Sequence, residues 1–288
     1  MALALAIDIG GTKMAAGLVT SDGELVSTQT VPTRKDLDGE ALFGELLALS
    51  GRVLGAADES VAVCGVGCGG PMTAGGEEVS PLNIASWRRF PLRARLADAL
   101  GVAVFVDNDA KALAVGEGWR GAAAGISHFV AMVVSTGVGG GIVLDGRLLD
   151  GAAGNAGHIG HVVVEPEGRA CTCGGRGCLE AEASGSAIAA VTGRPAREAP
   201  PDVVVRTGML VGRAVASVAN LLDLGLAVVA GSVALGFGAP FFAAAQAEIE
   251  VRARLEFSRQ ACILPAGLGA DGPLVGAAAV GWRAVGRL

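Results

Sequence analysis

Residues 3–19 read LALAIDIGGTKMAAGLV, an apolar run, a Gly10-Gly11-Thr12-Lys13 turn and a second apolar run. Short apolar runs bounded by glycine read as buried strands, so Leu3 to Ile9 and Met14 to Val19 are expected to form a β-hairpin. Glycines at such a turn let backbone N–H groups approach phosphate oxygens closely, Thr12 adds a hydroxyl donor and Lys13 a nearby charge. A plain Gly-Gly hairpin is the competing reading. The G-x-x-x-x-G-K-[ST] spacing of a Walker loop is absent. The same design returns at 129–144, FVAMVVSTGVGGGIVL: a strand Phe129 to Val134, a turn Ser135 to Gly141 that holds Thr136 and Gly137, and a strand Ile142 to Leu144. Two strand–turn–strand units, one in each half, predict two α/β lobes closing on one polyphosphate.

Working outward, Val61 to Val66 reads as a buried strand that ends in Gly67-Cys68-Gly69-Gly70-Pro71, where small residues favour ligand approach. Asn83, in Pro81-Leu82-Asn83, is either a polar pocket residue or a surface-turn asparagine. Val102 to Val106 is a strand delivering Asp107-Asn108-Asp109-Ala110 at the start of a helix through Gly118. A carboxylate at a strand end beside a helix N-terminus is placed to accept a proton from a bound hydroxyl. Asp and Asn are also the preferred helix caps. Asp109 is the candidate for chemistry and Asn108 for orienting a substrate. After the strand Ala227 to Ala230, Gly231-Ser232-Val233 forms a turn suited to a nucleoside.

Chemistry is densest in 154–180, GNAGHIGHVVVEPEGRACTCGGRGCLE, with two of the three histidines and three of the six cysteines. His161, Cys171, Cys173 and Cys178 are separated by nine, one and four residues. Four such ligands are what a closed tetrahedral zinc site takes, and the polar, glycine-rich surroundings argue against plain buried thiols.

At 288 residues the chain can bury a sizeable core and is expected to divide at 117/118. Residues 1–117 would form an N-terminal lobe with the terminal helix 274–288 packed back on it, and 118–273 a C-terminal lobe carrying the zinc site. A net charge of −6, from 22 basic and 28 acidic residues, with no long basic run, argues against nucleic acid as a partner. The apolar windows are too short for membrane spans, and the N-terminus lacks the basic region and cleavage site of a signal peptide. A cytoplasmic location is expected, where thiols stay reduced and metal is favoured over disulfide. Cys64, Cys68 and Cys262 are expected to be buried thiols.

DIGGTK at 8–13, NDAKALAVGE at 108–117, STGVGGG at 135–141 and GHIGH followed by CTCGGRGCLEA together resemble the ROK family of sugar kinases and related repressors. The resemblance implies an actin-like ATPase (ribonuclease H-like) fold, two α/β lobes with ATP and sugar in the interlobe cleft, and a zinc knuckle built from His161, Cys171, Cys173 and Cys178. It implies Asp109 as catalytic base and Gly70, Asn83, Asn108, His158, His161 and Glu180 as sugar-binding positions. His161 would then serve zinc and sugar with different ring nitrogens. Gly10, Gly11, Thr12, Lys13, Thr136, Gly137 and Gly231 fall on nucleotide-binding turns, and Asp8 near a magnesium ion. A homodimer is the family expectation. Only seven residues precede Asp8, so no helix-turn-helix domain of the repressor kind is expected before it.

Many family glucokinases read Glu-x-Gly-His where this chain has His158-Ile159-Gly160-His161. The histidine, VEPEGRACTCG, and PLN followed by FPL resemble the branch acting on N-acetyl-D-mannosamine, which is the expected acceptor. Glucose is the competing acceptor, and a non-catalytic sugar sensor the third reading. Lys111, beside the expected base, is expected either to act on Asp109 or to point to solvent.

Overall fold

The computed structural model describes residues 2–56 and 59–288. In chain order the strands are β1 (Leu3–Ile9), β2 (Lys13–Thr20), β3 (Leu25–Pro32), β4 (Val61–Cys68), β5 (Val104–Asn108), β6 (Phe129–Val134), β7 (Val138–Leu144), β8 (Arg147–Leu148), β9 (Leu226–Ala230) and β10 (Cys262–Pro265). The helices are α1 (Gly39–Leu54), α2 (Leu92–Leu100), α3 (Asp109–Arg120), α4 (Leu179–Ala183), α5 (Gly185–Thr192), α6 (Pro201–Leu222), α7 (Ser232–Phe237), α8 (Ala239–Arg252) and α9 (Gly272–Ala284).

Two five-stranded sheets result, ordered β3-β2-β1-β4-β5 and β10-β9-β6-β7-β8. In each, the first three strands in sequence form an antiparallel meander. The last two then add in parallel beside the first. The sequence shows this repetition only in the strand–turn–strand pairs. The structure extends it to all five strands, a mixed α/β architecture of the actin-like kind.

The chain groups into two compact units, Met1–Gly121 with Asp150–Ala156 and Leu268–Leu288, and Ala122–Leu149 with Gly157–Gly267. The return of Asp150–Ala156 to the first unit is not part of the division expected from sequence. It has a local cause. Lys111, only 3% exposed on α3, ion-pairs with Asp150 at 2.7 Å and donates to the Gly154 carbonyl at 3.1 Å.

In the first unit Leu5, Ile7 and Ile9 of β1 are fully buried, and Trp87 stacks on Phe90 with ring centroids 4.8 Å apart. The alanine- and glycine-rich α9 packs on β1, β4 and α3. Its composition is explained by that approach: a Cβ on Gly116 of α3 would lie 2.9 Å from the Gly276 Cα. Buried Trp282 anchors the helix by donating its indole N–H to the Thr20 carbonyl at 3.2 Å. In the second unit α6 packs along α8, and α6 begins at Pro201, a first-turn position where a missing N–H costs nothing. Just before α6 lies one short 3₁₀ turn, Ala196–Glu198.

Candidate functional site

In the first unit, the parallel strands align the candidate residues at their C-terminal ends. Asp8 of β1 is registered with Gly67 of β4, and Gly67 with Asp107 of β5. One step on, Ile9, Cys68 and Asn108 align in the same way. Asp109 follows as the first residue of α3. Asn108 is the cap, its Oδ1 accepting from the Ala110 amide at 3.0 Å, while Asp109 Oδ1 accepts from the same amide at 2.8 Å. Capping and candidate chemistry therefore share two adjacent side chains. The Asn108 Nδ2 lies 3.3 Å from where a Cβ on Gly70 would stand, so these two expected sugar-binding positions adjoin.

Asp8 has its carboxyl pushed up to about 7, first by burial and then by the neighbouring Asp109, with Lys13 opposing the shift. A carboxylate whose proton affinity is raised by a neighbouring carboxylate makes with it an oxygen donor set suited to a hard divalent cation.

The Gly10–Lys13 turn joins β1 to β2 and closes on itself. The Gly10 amide donates to the Lys13 carbonyl at 3.0 Å, and Thr33 donates from Oγ1 to the Gly10 carbonyl at 2.7 Å and from its amide to the Thr12 carbonyl at 3.0 Å. Thr12 and Lys13 are exposed. A Cβ on Gly11 would collide with the Cβ of Asn83, so Asn83 lies directly against this turn. The Asn83 side chain is exposed at that position.

In the second unit Thr136 and Gly137 sit between β6 and β7, and Gly231 follows β9. Ser135 and Ser232 hydroxyls lie 3.0 Å apart, which puts the two turns side by side. The Gly231 φ of 100° is open to glycine and costly for other residues. His158 and His161 flank a short 3₁₀ turn with their rings nearly parallel, 6.2 Å between centroids. Glu180 lies in the first turn of α4, and its Oε2 accepts from the Val138 amide at 2.9 Å.

His161, Cys171, Cys173 and Cys178 each present one ligand atom, all within 4.8 Å of one another. Cys173 and Cys178 sulfurs are 3.7 Å apart, and the Cys171 sulfur is 3.8 Å from His161 Nδ1. Sulfurs at tetrahedral corners with zinc–sulfur bonds of about 2.3 Å are separated by about 3.8 Å, whereas a disulfide needs about 2.05 Å. The donor set fits zinc. Burial, then the neighbouring Cys171 and Cys173 sulfurs, push the Cys178 thiol up to about 12, a crowding that a divalent cation relieves. With Nδ1 turned to the cluster, Nε2 is the His161 nitrogen left for another partner.

Two contact groups carry no signal strong enough to be found beforehand. Lys111 is not solvent-directed: besides Asp150 it meets Asp107 at 3.2 Å, at i,i+4 spacing. Glu182, 3% exposed, accepts from the Arg169 amide and pairs with Arg169 and Arg206 at 2.9 and 2.8 Å. Burial alone would raise its carboxyl, but the Arg169 amide and the Arg206 and Arg169 guanidiniums hold it below the usual range. That ties the end of the zinc loop to α6. Cys64 and Cys68 are buried as expected. Cys262 is not: it is partly exposed, because β10 is an edge strand.

No helix among the described residues is long and apolar enough to cross a membrane. The ROK family model matches residues 4–283. A glucokinase from Halalkalibacterium halodurans is 41% identical over 191 residues, 64% of this chain and only 57% of that protein's length. An N-acetylmannosamine kinase from Citrobacter koseri is 38% identical over 251 residues, 81% of this chain and 84% of that protein. Among solved structures, a ROK family glucokinase from Streptomyces griseus in complex with glucose and AMPPNP superposes with a TM-score of 0.84 at 29% identity, covering 98% of this chain and 99% of that one. With a match that runs through both sheets and the cysteine loop, the chain belongs to the ROK family.

Proposed function

We propose that this chain is an ATP-dependent sugar kinase that phosphorylates the 6-hydroxyl of N-acetyl-D-mannosamine, with Asp109 as general base. The observation that carries the kinase reading is the placement of Asp109 at the start of α3, close enough to Asp8 to raise the Asp8 carboxyl. Asp109 accepts the hydroxyl proton late in a loose transition state, so its work is orientation of the nucleophile more than deprotonation. Gly70, Asn83, Asn108, His158, His161 Nε2 and Glu180 are the sugar-binding residues of this reading. Backbone amides of the 10–13 and 136–137 turns, with Thr12 and Lys13, hold the phosphates, and Gly231 borders the nucleoside. Magnesium, when bound near Asp8, supplies charge neutralisation on the phosphates. His161, Cys171, Cys173 and Cys178 would hold zinc, which would fix the loop that presents His161 and Glu180. The protein is read as a cytoplasmic homodimer.

The acceptor assignment rests on His158. An imidazole donates as well as accepts and is bulkier at its tip than a carboxylate, which suits an acylamino substituent. The resemblance to N-acetylmannosamine kinases over 81% of the chain supports it. The second reading, a glucokinase, is favoured by the 41% identity to a glucokinase. Specificity constants for N-acetylmannosamine, N-acetylglucosamine and glucose decide between them. N-acetylmannosamine is expected to lead, and His158→Glu to move the preference toward glucose by about 10–200-fold with zinc content unchanged. A wild-type preference for glucose overturns the assignment. Absence of ATP consumption with every sugar overturns the kinase reading itself.

A further inference from the structure

The start of β7 is gripped twice by the cysteine–histidine module. At Val138, the amide donates to Glu180 Oε2 at 2.9 Å. On the other side of the same residue, Gly160 packs so closely on the Val138 carbonyl that a Cβ there would collide with it. Each grip is next to a cluster ligand. Gly160 precedes His161, and Glu180 lies two residues after Cys178, which is the N-cap of α4.

The preceding turn is held from the same side. The Gly185 amide donates to the Ser135 carbonyl at 2.7 Å, and the Ser186 amide to the Thr136 carbonyl at 3.2 Å. Both amides belong to the first turn of α5, which follows α4 through the single linking residue Ser184. Gly137 is explained by the same contact: a Cβ on it would lie 2.8 Å from Glu180 Oε2. Any larger residue would displace the carboxylate from the Val138 amide.

We propose that Glu180 is a positioning residue for the Thr136–Gly137 turn, through which the metal module sets nucleotide binding as well as sugar binding. One carboxylate oxygen is committed to the Val138 amide, which leaves Oε1 for the sugar. A sugar that tightens on Oε1 therefore acts on a side chain already bonded to the phosphate turn. The inference deepens the kinase reading and rests on it only for its nucleotide arm.

The test uses the full zinc-loaded chain. Amide exchange is first followed without ligand in the wild type, Glu180→Ala and Glu180→Gln. Loss of a hydrogen bond to a charged acceptor is expected to speed exchange of the Val138 amide by at least about tenfold in Glu180→Ala. Glu180→Gln keeps an acceptor oxygen and should retain most of the protection, while β9 amides stay unchanged in both. Zinc removal by a chelator should move the wild-type Val138 amide toward the Glu180→Ala rate. In the second arm, AMPPNP affinity without sugar is expected to fall about tenfold in Glu180→Ala, with rescue in Glu180→Gln. Unchanged Val138 exchange in Glu180→Ala overturns the proposal. So does a Glu180→Ala variant that loses sugar affinity alone and binds AMPPNP as the wild type does. If the wild type binds no AMPPNP, the kinase reading fails, and the exchange arm still decides the coupling.

Discussion

The turns after β1 and after β6 share one design and differ in what holds them. The Gly10–Lys13 turn is secured by its own backbone and by Thr33, the residue next to β3 of the same meander. The Ser135–Gly137 turn has its own backbone bond as well, from the Ser135 amide to the Gly137 carbonyl at 2.9 Å, but its further support comes from Glu180, Gly185 and Ser186, more than forty residues downstream in α4 and α5. A turn closed by its own hairpin is a local solution. One that also leans on a distant helix pair takes on that helix pair's dependence on metal. Duplicated topology thus does not imply duplicated stability, and the second turn is the one open to control through the zinc loop.

The largest expected effect on this contrast comes from Cys173→Ser. Structural zinc sites can contribute about 10–16 kcal/mol of apparent binding free energy, so losing one of four ligands should empty the site. Metal analysis is expected to find zinc lost together with activity, and exchange should rise at residues 135–138 while 10–13 stay protected. An active, zinc-free variant would show the module to be dispensable. Next in size is Asp109→Asn, expected to lower kcat by about 10²–10⁴-fold with sugar binding still measurable by calorimetry. Turnover close to wild type would remove Asp109 as the base.

Asp8 sharpens the comparison from the other side, because its strain is electrostatic and confined to the first unit. Its folded pKa of about 7 lies above the ordinary 3.8, so the unfolded chain releases this proton first. Stability therefore falls as pH rises from about 4 to about 7, and the cost is complete above that range. Asp8→Asn is expected to abolish this slope. In the absence of magnesium and nucleotide it should stabilise the protein at pH 8 by up to about 4 kcal/mol and change nothing near pH 3. Denaturation midpoints across pH check this, and an unaltered slope would refute it. The smallest effect is that of Thr33→Val, which removes the hydroxyl bond to the Gly10 carbonyl. A loss of about 1 kcal/mol is expected, with faster exchange at 10–13 and none at 135–138. Equal loosening of both turns would contradict the separation.

Much of this was legible before folding. Periodicity and glycine placement located β1, β2 and β6, because short apolar runs ended by glycine have few other uses; of β7 they gave only Ile142 to Leu144, since the glycine-rich start Val138–Gly141 reads as turn until it pairs with β6. Ligand spacing picked out His161, Cys171, Cys173 and Cys178, since metal geometry constrains how far apart donors can lie. The short helices α4 and α7 were not legible: five and six residues lack a full apolar stripe. Lys111 was undecided because a lysine beside an expected base looks the same whether it faces solvent or is buried against Asp107 and Asp150.

The sequence by itself determined the two hairpin units, the metal-ligand set and the carboxylate at the head of α3, because these depend on local residue type and spacing. Only the tertiary structure decided which turn answers to which neighbour. Glu180 reaches Val138 across forty-two residues, Asp150 reaches Lys111 across thirty-nine, and Asp8 feels Asp109 through the register of parallel strands. Such contacts arise when separate segments pack on one sheet, and no local pattern encodes them.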